Sequence, residues 1–342
     1  MEVKQIILMV IVTLAFTGLI IPIIKKIAIH IGALDIPNER KIHKKPIPRL
    51  GGLGIYAGFL LGYMIFGEHS IQMNSILIGS FIIIITGVID DIKPVPARYK
   101  LIGQLVASSI IPIYGGMILQ DVSAFGLYLN FGFLAIPVTI LFITAVINCI
   151  NLIDGLDGLA GGLSSIYFLT IGIIAILMGN TNNLELVLTF VMLGSTLGFL
   201  IHNFNPAKIF MGDSGSMFLG YIIAVISLLG FKNVTLTSFL VPVLLLAIPI
   251  LDTLFAIIRR MLKHKPISMP DKSHLHHQLL KLKFSQRKTV LIIYFVDLLF
   301  AAASIFYVLG DFQYGLIIYG ILFVLTLVLI FKTDIIREKK KK

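Results

Sequence analysis

Long apolar runs separated by short polar segments dominate this chain. A helix needs about 17–25 apolar residues to cross the hydrocarbon of a bilayer. Eleven runs approach or reach that length, at approximately 5–24, 50–66, 75–90, 101–119, 132–150, 158–178, 185–202, 215–230, 238–258, 289–309 and 313–331. The pattern predicts an all-α polytopic membrane protein with about 11 transmembrane helices.

Composition supports the same class. Hydrophobic residues make up 57% of the 342 positions and charged residues only 13%, whereas soluble domains are about 45–50% apolar and about 25% charged. We therefore expect one integral membrane domain, 1–342, with a basic loop at 259–288. The first apolar run has no basic segment before it and no small-residue cleavage site after it, so we expect a retained span.

Basic residues are confined to alternate loops. Of the 28 Lys and Arg residues, 26 fall in one set of loops and the C-terminal tail, and only Lys4 and Lys232 fall in the other. The positive-inside rule then places the N-terminus outside and the charged loops and C-terminus in the cytosol. The net charge of +11 reflects this orientation, and we expect no nucleic-acid partner.

The single cysteine, Cys149, excludes an intramolecular disulfide and a cysteine-based metal cluster. It lies in the stretch NCINLIDGLDGLA, where Asn148, Asn151, Asp154 and Asp157 are spaced three apart. On a helix or helical turn that spacing keeps all four near one face. We expect this face to be the floor of a polar site, with the intervening glycines allowing close approach of a ligand.

Two further acidic motifs lie at the predicted cytosolic side. Asp90 and Asp91 end an apolar run, where the helix dipole disfavours anions. A nearby cation should therefore compensate, and the candidates are Lys93, Arg98, Lys100 or a divalent metal. Asp213, between Gly212 and Ser214, opens another run. It is expected to cap that helix and could also bind a hard cation through oxygen.

The remaining motifs are basic. His274, His276 and His277 lie in the 259–288 loop. With no nearby cysteine or evident fourth ligand, we favour donation to phosphate or sugar oxygens over zinc binding. The first loop, DIPNERKIHKKPIPRLGG, carries Lys45 and Arg49, which we expect to contact substrate phosphates.

Two acidic residues, Asp252 and Asp297, fall within apolar runs. Intramembrane carboxylates are candidates for function by default. For Asp252 we expect structural pairing with Arg259 and Arg260, and Asp297 receives no assignment.

A transporter would place its polar groups near the midplane of the membrane, whereas most of the polar groups in this chain gather at one face. Carboxylates, lysines and no cofactor motif favour a metal-assisted reaction on a phosphorylated substrate with a lipid acceptor.

The motifs Asp90-Asp91, NCINLIDGLDGLAGG, NPAKIFMGDSGS and DKSHLHH together resemble those of the polyprenyl-phosphate N-acetylhexosamine-1-phosphate transferases. The likeness extends across most of the chain. The first loop and DKSHLHH are similar to the branch that transfers GlcNAc-1-phosphate, which includes Gram-positive initiators of wall teichoic acid synthesis. The sister branch, the phospho-MurNAc-pentapeptide translocases, usually has a different first loop and three consecutive histidines. Lys272 stands where some members have Arg, which changes bidentate phosphate contact.

The resemblance implies transfer of GlcNAc-1-phosphate from UDP-GlcNAc to undecaprenyl phosphate in the bacterial cell membrane, with Mg²⁺, for which Mn²⁺ could substitute. A homodimer is left open. The implied roles are metal binding by Asp213 and Asp154, and formation of the uridine pocket by Asp157, Asn203 and Phe210, with Asn148 also on the substrate side. Asp90 and Asp91 would handle the lipid phosphate. The implied residues near the phosphates and sugar are Lys100, His274, His276 and His277.

Two mechanisms are consistent with these residues. A phosphate monoester has its second pKa near 6, so the lipid phosphate is already largely dianionic at pH 7 and gains little from a general base. We therefore favour direct displacement at the sugar-bearing phosphorus, with positive charge offsetting repulsion between the two anions. The alternative is a two-step route in which Asp91 or Asp90 attacks first.

Overall fold

The computed structural model describes residues 2–37, 45–124, 127–179, 183–231, 240–264, 266, 274–310 and 312–332. Thirteen α-helices lie within these residues. They are α1 (Val3–His30), α2 (Gly51–Phe66), α3 (Ile71–Ile92), α4 (Ala97–Ile113), α5 (Ala135–Ile153), α6 (Leu159–Leu177), α7 (Asn183–Asn203), α8 (Gly212–Phe231), α9 (Leu240–Leu245), α10 (Ala247–Leu262), α11 (Leu275–Lys281), α12 (Gln286–Leu309) and α13 (Phe312–Lys332).

The prediction of an all-α polytopic membrane protein is confirmed. Within the described ranges, seven helices are long and apolar enough to cross a bilayer, and two shorter apolar helices lie at Gly51–Phe66 and Gln313–Val328. The number 11 stays a prediction. The run 238–258 is not one continuous helix as predicted, because α9 ends at Leu245 and α10 starts at Ala247.

Two small antiparallel strand pairs were not predicted. Strands β1 (Leu34–Asp35) and β2 (Ile47–Pro48) bracket the first loop, with Asp35 opposite Ile47. Strands β3 (Asp121–Ala124) and β4 (Leu127–Asn130) form a hairpin between α4 and α5. The β1–β2 pair matters for function, because it brings Asp35 close to Arg49 in space.

Helix α8 is at the centre of the bundle. It is the most enclosed of the candidate spans and packs against α2, α3 and α5. Helix α1 lies further out, against α7 and α2, and exposes large apolar side chains such as Leu19, as expected for a surface that faces lipid. The N-terminal turn of α8 therefore meets the ends of several other helices.

The polar ladder at 148–157 does not lie on one helical face as predicted. Helix α5 ends at Ile153, and Asp154 is its C-cap residue with φ −74° and ψ 59°. Gly158 then adopts φ 82° just before α6. Only Asn148 and Asn151 are helical, while Asp154 and Asp157 lie in the turn between α5 and α6. Three of the four, Asn151, Asp154 and Asp157, nevertheless line the same cavity, and Asn148 does not.

Candidate active site

Three carboxylates and a lysine meet where α3, α4 and α8 converge. Lys100 Nζ, in the first turn of α4, lies 2.8 Å from Asp213 Oδ2 and 3.4 Å from Asp90 Oδ2. Asp90 also accepts a 2.8 Å hydrogen bond from the backbone N–H of Val95. The expectation that a cation compensates the acidic end of α3 is confirmed, and that cation is Lys100.

Asp91 caps α8 from a neighbouring helix. Its carboxylate accepts hydrogen bonds from the backbone N–H groups of Asp213 (2.8 Å) and Ser214 (3.1 Å) and from the Ser214 hydroxyl (2.6 Å). The predicted capping role of Asp213 is therefore wrong, because Asp213 lies inside the first helical turn and Asp91 satisfies its N–H. Gly212 has φ 73°, and a Cβ at this position would collide with the Asp91 carboxylate.

Arg49 connects this cluster to the first loop. Its Nε lies 3.4 Å from Asp91 Oδ1, and its Nη2 lies 3.8 Å from Asp213 Oδ1. Its Nη1 lies 3.8 Å from Asp35 Oδ1. At these distances the contacts are ion pairs more than tight hydrogen bonds, and they place one positive charge among three negative ones.

Backbone hydrogen bonds fix the end of the first loop to the segment before α8. Phe210 N donates to Pro48 O at 2.8 Å, and Gly51 N donates to Phe210 O at 2.9 Å. Gly52 N donates to Met211 O at 2.9 Å. Arg49 is thus held beside Asp213 by main-chain bonding on either side of it.

A cavity of about 410 Å³ opens beside this cluster, which is the size range of small-molecule sites. Seven of its lining residues are among the predicted site residues, namely Arg49, Asp154, Asp157, Asn203, Phe210, Asp213 and His277. Five other lining residues with polar side chains were not predicted as site residues, namely Asp35, Asn151, Asn205, Ser216 and Gln286. The cavity is therefore lined by carboxylates, amides, one arginine, one histidine and one aromatic ring.

Among the cavity residues that lie outside the membrane spans, Asp154 has a strongly raised carboxyl pKa. Burial raises the pKa of its carboxyl to about 7, and the carboxylates of Asp213 and Asp91 raise it further against the opposing charge of Arg49. Within the described residues its carboxylate has no hydrogen-bond partner. A positive charge entering the cavity would relieve this repulsion.

Asp157 and Asn203 also line the cavity. Asp157 Oδ2 accepts hydrogen bonds from Asn205 Nδ2 (2.8 Å) and Ala207 N (3.0 Å). Asn203 accepts from Gly158 N at 2.9 Å and donates to Ile209 O at 2.9 Å. Both residues line the cavity as expected, and they also hold the segment between α7 and α8 in place.

Asn148 does not reach the cavity, contrary to its prediction as a substrate-binding residue. Its Nδ2 donates to Gln104 Oε1 at 2.7 Å and to Thr144 O at 2.8 Å, so it joins α5 to α4. Asn151 lines the cavity instead and donates to Ser216 Oγ at 2.8 Å. Lys45 is exposed and does not line the cavity either.

The three histidines occupy different positions. His277 lines the cavity, while His276 is 2% exposed and packs against Gly155, where a Cβ would collide with its ring. Burial lowers the pKa of His276 to about 3, and the adjacent His277 ring adds to the fall, so His276 is neutral at pH 7. His274 pairs with Asp252 at 2.8 Å. The predicted pairing of Asp252 with Arg259 and Arg260 is therefore replaced by a bond to the histidine cluster.

Comparison with known proteins identifies the family. Residues 73–231 match the model of glycosyl transferase family 4. A probable undecaprenyl-phosphate N-acetylglucosaminyl 1-phosphate transferase of Bacillus subtilis is 44% identical over 98% of this chain and 94% of its own length. The chain belongs to the polyprenyl-phosphate N-acetylhexosamine-1-phosphate transferases.

Two more distant relatives of this transferase carry related names. A decaprenyl-phosphate N-acetylglucosaminephosphotransferase of Mycolicibacterium smegmatis is 34% identical over 79% of this chain and 74% of its own. An undecaprenyl-phosphate alpha-N-acetylglucosaminyl 1-phosphate transferase of Escherichia coli K12 is 28% identical over 85% and 80% of the two chains. The family resemblance inferred from the sequence motifs is confirmed.

The transferase carries functional candidates that sequence reasoning missed. Asp35 stands at the start of the quoted first loop, but nothing in its local sequence indicates contact with Arg49. Gln286, the first residue of α12, lines the cavity and has no local signal at all. Both reach the site through long-range packing. The departure noted at Lys272 lies outside the described residues.

Proposed function

We propose that this chain transfers GlcNAc-1-phosphate from UDP-GlcNAc to undecaprenyl phosphate, giving undecaprenyl-pyrophosphoryl-GlcNAc and UMP. The observation that carries this proposal is the pairing of Lys100 and Arg49 with Asp213, a carboxylate that lines a polar cavity together with Arg49. Such a site can bind two anionic substrates and offset their repulsion. The names of the relatives support the sugar and the lipid. The product would be the first membrane intermediate of a cell-wall polymer such as teichoic acid.

The cavity suggests how the donor would lie. Phe210 offers an aromatic ring for the uracil, and the hydrogen-bonded pair Asp157 and Asn205 in the same lining offers polar atoms for its edge. Arg49, Asp213 and Asp154 form a charged group in the lining, where the pyrophosphate would be bound. His277 and Gln286 can both hydrogen-bond, which suits the hydroxyls and the N-acetyl group of the sugar.

Asp213 and Asp154 would hold Mg²⁺, with Mn²⁺ able to substitute. Among the described residues, no three His, Cys, Asp or Glu side chains form a ready ligand set. Mg²⁺ commonly takes only one or two carboxylates and completes its coordination with water and substrate phosphates, so two cavity carboxylates fit. When bound, the ion would neutralise charge on the donor pyrophosphate.

The contacts of Asp91 support direct displacement. A phosphate oxygen of the lipid would attack the sugar-bearing phosphorus, forming a new P–O bond as the bond to UMP breaks. Asp91 is 3% exposed, and its carboxylate accepts three hydrogen bonds, which makes it a poor nucleophile for a two-step route. Lys100 would balance the charge of the attacking phosphate beside Asp90.

The orientation also belongs to this proposal. The asymmetry of Lys and Arg places the cavity at the cytosolic surface, where UDP-GlcNAc is available, with the N-terminus outside and the C-terminus inside. Reporter fusions after His30, after Phe66 and at the C-terminus would test it. A cytosolic signal after Phe66 would contradict the assignment.

One assay tests the activity. Purified protein is offered undecaprenyl phosphate, Mg²⁺ and either labelled UDP-GlcNAc or labelled UDP-MurNAc-pentapeptide. We expect lipid-linked product and UMP from the first donor and loss of both products with EDTA. Product from the second donor alone would indicate the translocase reaction, and lack of product from either would contradict the transferase proposal.

A variant pair tests the metal assignment. Asp213→Asn should abolish turnover while the protein stays monodisperse in detergent. Asp121→Asn, which alters an exposed carboxylate on the β3–β4 hairpin, should keep wild-type turnover. Full activity of Asp213→Asn would remove Asp213 from the metal site.

A further inference from the structure

We infer that Asp252 is the positioning residue of the histidine cluster and that it acts through His274. This inference rests on the proposed function of the cavity, since it concerns how one wall of that cavity is held. Asp252 lies on α10 and is 4% exposed. Sequence reasoning assigned it only to a pairing with neighbouring arginines.

Both carboxylate oxygens of Asp252 bind the start of α11. Oδ2 lies 2.8 Å from His274 Nδ1, and Oδ1 accepts a 2.7 Å hydrogen bond from Leu275 N. His274 is the N-cap residue of α11, but its own side chain makes no capping bond. Asp252 therefore caps α11 from another helix and fixes the His274 ring with the same carboxylate.

Helix α11 needs such an anchor. It has only seven residues, and isolated helices shorter than about 12–15 residues are marginal in water. Its position must come from tertiary contacts. It packs against α12, and Asp252 attaches its first turn to α10. Helix α10 packs in turn on α5, the helix that ends just before Asp154.

Contacts between the three histidine rings connect His274 to the cavity. His274 and His276 are stacked with their centroids 5.7 Å apart and an interplanar angle of 6°. His276 and His277 are 4.2 Å apart, and His277 lines the cavity. A shift of His274 would therefore be passed to His277 through ring contacts and through the short helix.

The carboxylate also decides which nitrogen of His274 is available. Because a carboxylate only accepts, His274 Nδ1–H donates to Asp252, and Nε2 is the ring nitrogen that remains free of this bond. Carboxylates orient metal-bound and catalytic histidines by the same arrangement. An amide has only one oxygen acceptor, so it could keep the cap to Leu275 N but would turn an N–H donor towards the His274 N–H.

The test compares variants at both ends of the bond. We expect Asp252→Asn to lower kcat/KM for UDP-GlcNAc at least tenfold, and Asp252→Glu to keep at least five times the value of Asp252→Asn. Because Asp252 acts through His274, Asp252→Asn in a His274→Ala background should cost less than twofold more. Asp297→Asn replaces another buried acidic side chain, on α12, and should stay within twofold of wild type.

Two outcomes would overturn the inference: an Asp252→Asn enzyme within twofold of wild type, or losses that multiply in the double variant. If Asp252→Asn does not stay monodisperse in detergent, the Asp252→Glu and His274→Ala pair provides the same non-additivity test. Wild-type protein that makes no lipid product would contradict the proposed function itself. Active wild type with unaffected Asp252 variants would contradict only the positioning role.

Discussion

Asp91 and Ser214 are joined by two hydrogen bonds across α3 and α8: Asp91 Oδ2 accepts from the Ser214 hydroxyl at 2.6 Å and from its backbone N–H at 3.1 Å. The first turn of a helix has N–H groups with no partner inside the helix, and Asp91 satisfies two of them at the start of α8. The same turn carries Asp213. A carboxylate that resembles a catalytic group in sequence therefore also sets the position of the candidate metal ligand.

This relationship predicts a stability effect. Asp91→Ala should reduce thermal stability in detergent, because loss of a cap costs about 0.5–2 kcal/mol and buried N–H groups would be left unpaired. Ser214→Ala removes only the hydroxyl donor and should cost less. Unfolding curves followed by intrinsic fluorescence or a thiol dye would measure both. An Asp91→Ala protein as stable as wild type would show that α8 does not depend on this cap.

The three hydrogen bonds that Asp91 accepts also predict how the enzyme behaves when the lipid acceptor is absent. Mixing enzyme, Mg²⁺ and labelled UDP-GlcNAc in the absence of undecaprenyl phosphate should release no stoichiometric UMP. Rapid-quench measurement checks this. A burst equal to the enzyme concentration, together with labelled protein, would establish the two-step route.

Lys100 is expected to act on kcat. It lies between Asp213 and Asp90, so Lys100→Gln removes a charge that would stabilise the transferring phosphate. Removing one such group typically costs about 10²–10³ in kcat, and we expect a loss of at least 100-fold. Lys93→Gln alters an exposed lysine in the same loop and serves as the control. Equal losses in the two variants would point to a general charge effect.

Gly155 is expected to tolerate no side chain. A Cβ there would collide with His276, whose ring is stacked on His274 and tilted against His277. Gly155→Ala should therefore lower kcat/KM for UDP-GlcNAc at least tenfold. Gly320→Ala, on α13 with open space around its Cβ, should be neutral. Unchanged kinetics in Gly155→Ala would mean that the histidines do not need this packing.

Asn148 should behave as a structural residue. Its bond to Gln104 joins α5 to α4, and its bond to Thr144 O lies within α5. Double-mutant cycles place interhelical polar contacts in membranes at about 0.6 kcal/mol on average. Asn148→Ala should lower the melting temperature while the KM for UDP-GlcNAc changes less than twofold. A large rise in KM with unchanged stability would restore the substrate-binding role predicted from the sequence.

Much of the architecture follows from local sequence. Apolar runs predict spans because crossing a bilayer requires consecutive apolar residues, and no knowledge of neighbouring helices is needed. The family motifs likewise identify Asp213, Asp154, Asp157 and Phe210, all of which line the cavity. The divided run at 238–258 and the strand pair that positions Asp35 were missed, because both depend on packing against other parts of the chain.

The roles of individual side chains were decided by tertiary structure. Lys100 and Asp213 are 113 positions apart in the chain yet 2.8 Å apart in space, and no periodicity links them. Spacing by three predicts a shared face for Asn148 and Asp154 only while the helix continues, and α5 ends between them. Asp252 appears in the sequence as an isolated acid, and only the folded chain brings His274 to it. Hydropathy and charge are local properties that the sequence alone determines. Hydrogen-bond partners depend on which helix ends the tertiary packing brings together, so only the folded structure determines them.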